Sequence, residues 1–375
     1  MSLGNQYVVD FPQGPSAQTH QAPLDLVMCS DCRLLQLQHT VDRELMYRHY
    51  YYRSFTSRTM RDALRNVVDS AVRVVGEPKR VLDIGANDGC LLSYYDDYKG
   101  KDLFKVAVEP SQLFAEIGTA TALVHDYFSY DAVKRWAPYN IVTSIACFYD
   151  VDRPLDFMAD VADVLDWDGI WINQMNYAPD MLDKNSYDMI SHEHLTYWTT
   201  PTFVNGLSRV GLEIFRTEHL PLNGGTMRYY VGHRDKHPVS SQIEMRSLQL
   251  SDWTNWGGGL WVLGDRLKSM VQTLTIQGKK VLVFGASTRG NVILQYVGLD
   301  SSLLPFAADA DRNKWGRVMA GTNIPIISLE EARAMKPDYF LVLPYSYLDE
   351  FMVQEKEFRD RGGKFIVPLP EPRIV

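Results

Sequence analysis

Cysteine is scarce in this chain: four in 375 residues, with Cys29 and Cys32 two apart and Cys90 and Cys147 isolated. So few thiols cannot frame a disulfide scaffold of this length. Long apolar runs are missing as well. None reaches the roughly 18 residues that cross a bilayer, and no basic start leads into an export-type apolar segment. The expected location is therefore the cytoplasm, with no membrane partner. Positive charge is short too: 38 Lys and Arg stand against 46 Asp and Glu, for a formal charge of −8, and no basic run stands out. Nucleic-acid affinity rests on phosphate neutralisation, so a nucleic-acid partner is not expected.

What is present describes a globular protein of more than one domain, 46% hydrophobic and 22% charged over 375 residues. Residues 1–55, punctuated by Pro12, Pro15 and Pro23, read as a small irregular lobe. Apolar spacing predicts a helix over 57–75. Strands are then expected at 79–84, 104–108, 122–124, 140–146 and 169–174, with helices at 89–98, 111–118 and 155–165 between them. Strand–helix alternation implies a parallel sheet covered on both faces, assigned to residues 56–235. After a hairpin-like Asn223-Gly224-Gly225 and a helix near 260–277, a second alternating unit begins at 280, within residues 236–375. The expected fold class is α/β, with two Rossmann-like units and the N-terminal lobe.

The segment Val81-Leu82-Asp83-Ile84-Gly85-Ala86-Asn87-Asp88-Gly89 runs an apolar strand into a glycine turn that opens a helix. Glycines permit positive φ and close backbone approach, and the carboxyl ends of strands are where open α/β sheets bind ligands. Glu109 ends the next strand, near the ~20-residue distance at which an acid meets a ribose diol. A dinucleotide calls for three glycines and a pyrophosphate on the helix N-terminus. Here Gly85 and Gly89 are four apart, with Asp83 and Asp88 around the turn. Those carboxylates oppose a pyrophosphate and suit S-adenosylmethionine, which carries no phosphate. The donor-binding candidates are Asp83, Gly85, Asn87, Asp88, Gly89, Glu109 and Asp126.

Five blocks together resemble the S-adenosylmethionine-dependent sugar C-methyltransferases that act on nucleotide-linked 4-keto-deoxyhexoses. They are Cys29-Ser30-Asp31-Cys32 with Tyr50-Tyr51-Tyr52-Arg53-Ser54; the Asp83 to Gly89 turn; Ser191-His192-Glu193-His194-Leu195-Thr196-Tyr197; Gly224-Gly225-Thr226-Met227-Arg228-Tyr229-Tyr230; and the carboxyl-terminal Phe284-Gly285-Ala286-Ser287-Thr288-Arg289-Gly290-Asn291. The resemblance implies a zinc-binding lobe, a central methyltransferase domain and a C-terminal Rossmann-like domain enclosing a sugar nucleotide. It implies proton abstraction beside a ketone, then attack of the enolate on the donor methyl. His194 matches the base, a task suited to imidazole. Glu193 matches its carboxylate neighbour, which orients the imidazole or bonds the sugar. Tyr50 or Tyr52 matches a substrate-side tyrosine, or else clasps the lobes. Arg228 and Arg289 are the diphosphate candidates, since a guanidinium fork suits phosphate oxygens; the alternative for Arg289 is an ion pair with Asp309 or Asp311.

Three departures from the family stand out. Tetrahedral thiolate zinc needs four ligands, and this chain offers only Cys29 and Cys32. Either the partner pair lay ahead of Met1-Ser2-Leu3-Gly4 or the metal is absent, and the count weighs against zinc. Asp150 occupies the place of a histidine, and Ser191 that of a tyrosine, both on the substrate side. Two other readings stay open. One is a nicotinamide-dependent sugar-nucleotide oxidoreductase using the Gly285 to Gly290 turn with Asp309 as ribose partner. The other is a binding protein that keeps the donor without catalysis. The expected partner is a small molecule, bound by a monomer or homodimer.

Overall fold

A computed structural model describes residues 1–8, 11–17, 20–47, 53–98 and 103–375. The ends and the apolar face of the helix α1 (Arg58–Val75) agree. The Ser57 side chain accepts from Met60 N, Leu64, Val67, Val68 and Ala71 are buried on one side, and the chain stops at Gly76, whose φ is 80°. That face packs on the central sheet.

The central sheet is built from β1 (Arg80–Ile84), β2 (Phe104–Val108), β3 (Ala122–Val124), β4 (Tyr139–Ile145), β5 (Leu165–Asn176), β6 (Leu212–Leu220) and β7 (Thr226–His233). Among the described residues its order is β3-β2-β1-β4-β5-β7-β6, with the first five parallel and β7 and β6 antiparallel. The order reverses between β1 and β4, the crevice position in open α/β sheets. After the long helix α2 (Leu250–Ile276), a second sheet holds β8 (Val281–Phe284), β9 (Ala307–Asp309), β10 (Ile326–Ser328), β11 (Tyr339–Val342), β12 (Lys364–Val367) and β13 (Arg373–Ile374). Its order is β10-β9-β8-β11-β12-β13, again reversing beside its first strand, where the helix α3 (Thr288–Val297) begins. The α/β class with two such units is thus the fold of this chain.

Three local expectations change. Residues 1–55 are not an irregular lobe: Ser2–Tyr7, Gln21–Met28 and Leu35–Leu37 form a sheet completed by Thr196–Tyr197. The fourth strand comes from far along the chain, so local polarity concealed the pairing. The helix expected over 111–118 is a single turn, Gln112–Phe114, and that over 89–98 is Cys90–Ser93 continued by a tighter turn. One core cluster joins Leu24 and Leu26 of the N-terminal sheet, Met189 and Leu195 of the intervening segment, and Leu267, Ile293 and Ala307 of the C-terminal unit. Among the described residues no helix is long and apolar enough to cross a membrane.

Candidate functional site

A cavity of about 410 Å³ opens where the carboxyl ends of β1, β2 and β4 meet the 188–194 segment and the amino end of α3. On one side the turn after β1 is held by the neighbouring strand: Gly85 N and Ala86 N both donate to Val108 O, at 2.9 and 3.0 Å. Gly85 has φ 72°, and a Cβ there would meet Cys147 at 3.1 Å. Asn87 N donates to Glu109 Oε2 and Ser111 N to Oε1, each at 2.8 Å. Glu109 therefore braces the turn while lining the cavity, and burial raises its carboxyl. Asp83 accepts from Thr143 Oγ1 at 2.6 Å, and burial pushes its carboxyl up to about 7.

Asp83, Gly85, Asn87 and Glu109 line the cavity; Asp88, Gly89 and Asp126 do not. Asp88 Oδ2 accepts from Phe55 N at 2.9 Å, and Asn87 Oδ1 from Ser54 N at 3.0 Å, so the turn also clasps the segment ahead of α1. A Cβ on Gly89 would come within 2.4 Å of Ile117 and Thr119, so packing dictates that glycine. Asp126 is exposed and turns back on its own loop, accepting from Tyr127 N. Tyr127 and Phe128 line the cavity instead. An aromatic pair after a strand and an Asp turn was a sequence signal for them.

On the other side, Asp150, Glu193, His194 and Arg289 line the same cavity. Leu195 N and Thr196 Oγ1 donate to Tyr149 O at 2.9 and 3.1 Å, fixing the turn after β4 against the His194 loop. The Tyr149 ring meets the His194 imidazole edge-on at 4.6 Å. His194 Nδ1 lies 2.6 Å from Met189 O. A carbonyl only accepts, so Nδ1 carries the hydrogen and Nε2 the lone pair. Burial, aided by the nearby Arg289 charge against the Met189 bond, lowers this imidazole to about 4. Glu193 therefore does not orient the ring; Met189 does. Burial raises the Glu193 carboxyl to about 7.

Arg289 pairs with neither Asp309 nor Asp311. It meets Asp188 through Nη2 at 2.6 Å and Nε at 2.9 Å, and Tyr345 OH donates to the other oxygen of Asp188 at 2.9 Å. Asp188 and Tyr345, both lining the cavity, went unread because nothing local marks an acid whose partner lies 101 residues away. Arg228 is a correction: it is 1% exposed, away from the cavity, and is bound by Gln174 Oε1, Asn66 Oδ1 and Glu218 Oε2 at 2.8, 2.8 and 3.1 Å. β7 lies inside the sheet, so its guanidinium knits strands and cannot reach a diphosphate. Ser191 is also buried outside the cavity, with Oγ unpartnered. Tyr50 and Tyr52 lie outside the described residues.

Asp309, the ribose candidate of the nicotinamide reading, braces the second glycine turn. Its carboxylate accepts from Ala286 N and Asp311 N at 2.8 Å each, and Lys314 Nζ lies 3.3 Å from it and 2.9 Å from Ala286 O, over the turn. Gly290 is a packing glycine, since a Cβ would meet Leu343 at 2.3 Å. Cys29 and Cys32 are free thiols, and no cluster of three or more metal-ligating side chains is found among the described residues.

Comparison with known proteins covers both units. Residues 47–217 match a methyltransferase domain, and residues 221–370 match the C-terminal domain of C-methyltransferases. The C-methyltransferase NovU of Streptomyces niveus is 26% identical over 370 residues, 94% of this chain and 87% of its own length. Among solved structures, the 1,6-didemethyltoxoflavin-N1-methyltransferase of Burkholderia thailandensis, with its bound S-adenosylhomocysteine, is 13% identical. It covers 56% of this chain and 100% of its own, at a TM-score of 0.38. An S-adenosylmethionine-dependent methyltransferase of Clostridium acetobutylicum covers 46% and 91% respectively, at 11% identity and a TM-score of 0.36.

Proposed function

We propose that this chain, an S-adenosylmethionine-dependent C-methyltransferase by its two domain matches and its relative, methylates a carbon beside the ketone of a nucleotide-linked deoxysugar, with His194 as the base. The observation that carries the reading is the cavity itself. One continuous space is lined by the Gly85 turn, Glu109 and the uncharged His194 imidazole.

The donor end fits a phosphate-free sulfonium nucleoside. Asp83 and Glu109 give it acidic walls, which favour ammonium and hydroxyl groups, and the backbone at Gly85 admits close approach. Tyr127 and Phe128 offer flat apolar surface for a purine. When bound, the donor supplies an electrophilic methyl and departs as the thioether. At the acceptor end, His194 Nε2 takes the proton from the carbon beside the ketone, and that carbon's electron pair then forms the bond to the methyl carbon. Burial keeps the imidazole uncharged at neutral pH, and the Met189 bond at Nδ1 leaves the lone pair on Nε2. Glu193 faces the sugar hydroxyls. Arg289 and the first backbone N–H groups of α3, whose residues Ser287 and Thr288 also line the cavity, give the phosphates their partners.

Replacing His194 with Asn tests the assignment. Turnover of a nucleoside-diphosphate-linked 4-keto-deoxyhexose should fall by at least ~10³-fold, while S-adenosylmethionine affinity by calorimetry stays within about threefold. Full activity in that variant would remove His194 from the mechanism.

A further inference from the structure

The acceptor end contains more acid than His194 chemistry uses. Asp150 sits on the turn after β4, the loop pinned to the His194 segment through Tyr149 O. It lines the cavity together with Glu193 and His194. Its Oδ1 is screened from solvent and has no hydrogen-bond partner, an arrangement that costs free energy unless something completes it. Burial and repulsion from Glu193 raise the carboxyl well above the ordinary range, opposed only by a hydrogen bond with Tyr47. Arg289, which lines the same cavity, pairs with Asp188. The Tyr47 hydroxyl donates to the Glu193 carbonyl at 3.0 Å, and that carbonyl can only accept. Two buried carboxyls that repel one another do not both ionise readily.

From this geometry we infer that Asp150 is a catalytic acid of this enzyme: as a neutral carboxyl group it donates a hydrogen bond to the acceptor's carbonyl oxygen while His194 removes the neighbouring proton. This rests on the ketone reading given above. The electrons balance without a further reagent. The C–H bond breaks, its proton goes to His194 Nε2, and its pair moves in to make the C–C double bond as charge collects on the carbonyl oxygen beside Asp150. That pair then returns through carbon to the methyl, and the S–CH₃ pair stays on sulfur. A hydrogen-bond donor held at an oxygen that gains charge only during reaction is worth most in a water-poor site. A carboxylate in the same place would repel the enolate and oppose the step.

The test uses the full-length protein, S-adenosylmethionine and a nucleoside-diphosphate-linked 4-keto-deoxyhexose. Hydrogen–deuterium exchange beside the ketone is followed by NMR, and S-adenosylhomocysteine formation is measured separately. D150A should lower both rates by about 10²–10³-fold, the loss found for a single oxyanion donor, with donor affinity within about threefold. D150N keeps an N–H donor that does not titrate. It should stay within about tenfold of wild type and lack one alkaline fall in kcat that wild type shows. Glu193, His194, Tyr47 and Tyr149 face the same space and contribute equally to both profiles, so the difference belongs to Asp150. Wild-type rates in D150A, or a D150N enzyme as impaired as D150A with an unchanged pH profile, would overturn the inference alone. A wild-type enzyme that neither exchanges nor methylates the ketone would overturn the ketone reading and take this inference with it.

Discussion

At His194, the Met189 carbonyl takes the Nδ1 hydrogen and burial holds the imidazole at about 4 against an ordinary 6.5. The unfolded chain therefore binds a proton between pH 6.5 and 4 that the folded protein refuses, and acidification through that window costs stability, on the order of 3 kcal/mol. Glu193 runs the other way. Its carboxyl is raised from 4.5 to about 7, so the folded state keeps a proton that the unfolded state has released, and stability is lost as pH rises from 4.5 through 7. E193Q should therefore gain more on wild type at pH 8 than at pH 4.5, and H194N should lose less than wild type on going from pH 7 to pH 4.5. Urea midpoints at the three pH values measure both. The residue types at 193 and 194 were legible from sequence, but the carbonyl that orients the ring was not. Backbone acceptors carry no side-chain signature.

The turn after β1 contains two glycines that sequence reading treats alike, and packing separates them. At Gly85 an alanine would occupy φ 72° beside Cys147 in the cavity wall; at Gly89 it would occupy φ 77° and drive its Cβ into Ile117 and Thr119. G85A should cost about 1–2 kcal/mol, the left-handed penalty for a side chain, and weaken S-adenosylmethionine binding. G89A adds overpacking of ~1–3 kcal/mol to the same penalty, yet its folded fraction should bind the donor normally. Denaturant unfolding and calorimetry on the two variants distinguish the roles. The strand and glycine spacing announced the element. Only the loop carrying Ile117 and Thr119, which returns across the turn, decided which glycine faces a ligand.

Across the whole molecule, the cavity depends on groups brought from separated parts of the chain. Asp188 and Arg289 are the clearest pair, one ahead of the His194 loop and one on α3. Asp188 is 1% exposed, so R289A would leave a buried carboxylate held only by Tyr345 and should destabilise the protein by about 3–5 kcal/mol. Guanidinium unfolding measures it. Ligand linkage offers a second test at this scale. S-adenosylmethionine at about 100 times its dissociation constant should add ~2.7 kcal/mol to unfolding and raise Tm, while NAD(P) at the same concentration should leave Tm unchanged, because Lys314 covers the second glycine turn.

The amino-acid sequence by itself determined the alternation of strands and helices, the switch-point turn with its acidic surroundings, and the residue types at 150, 193 and 194. Those are local properties, set by apolar period, glycine conformation and side-chain chemistry. Tertiary structure alone decided that Thr196–Tyr197 completes the N-terminal sheet, that Arg228 is tied up between strands, and that Arg289 meets Asp188 at the cavity. Whether a polar side chain is free for a ligand depends on which distant partner packing brings to it, and hydrogen-bond satisfaction in a buried place is a property of the assembled fold.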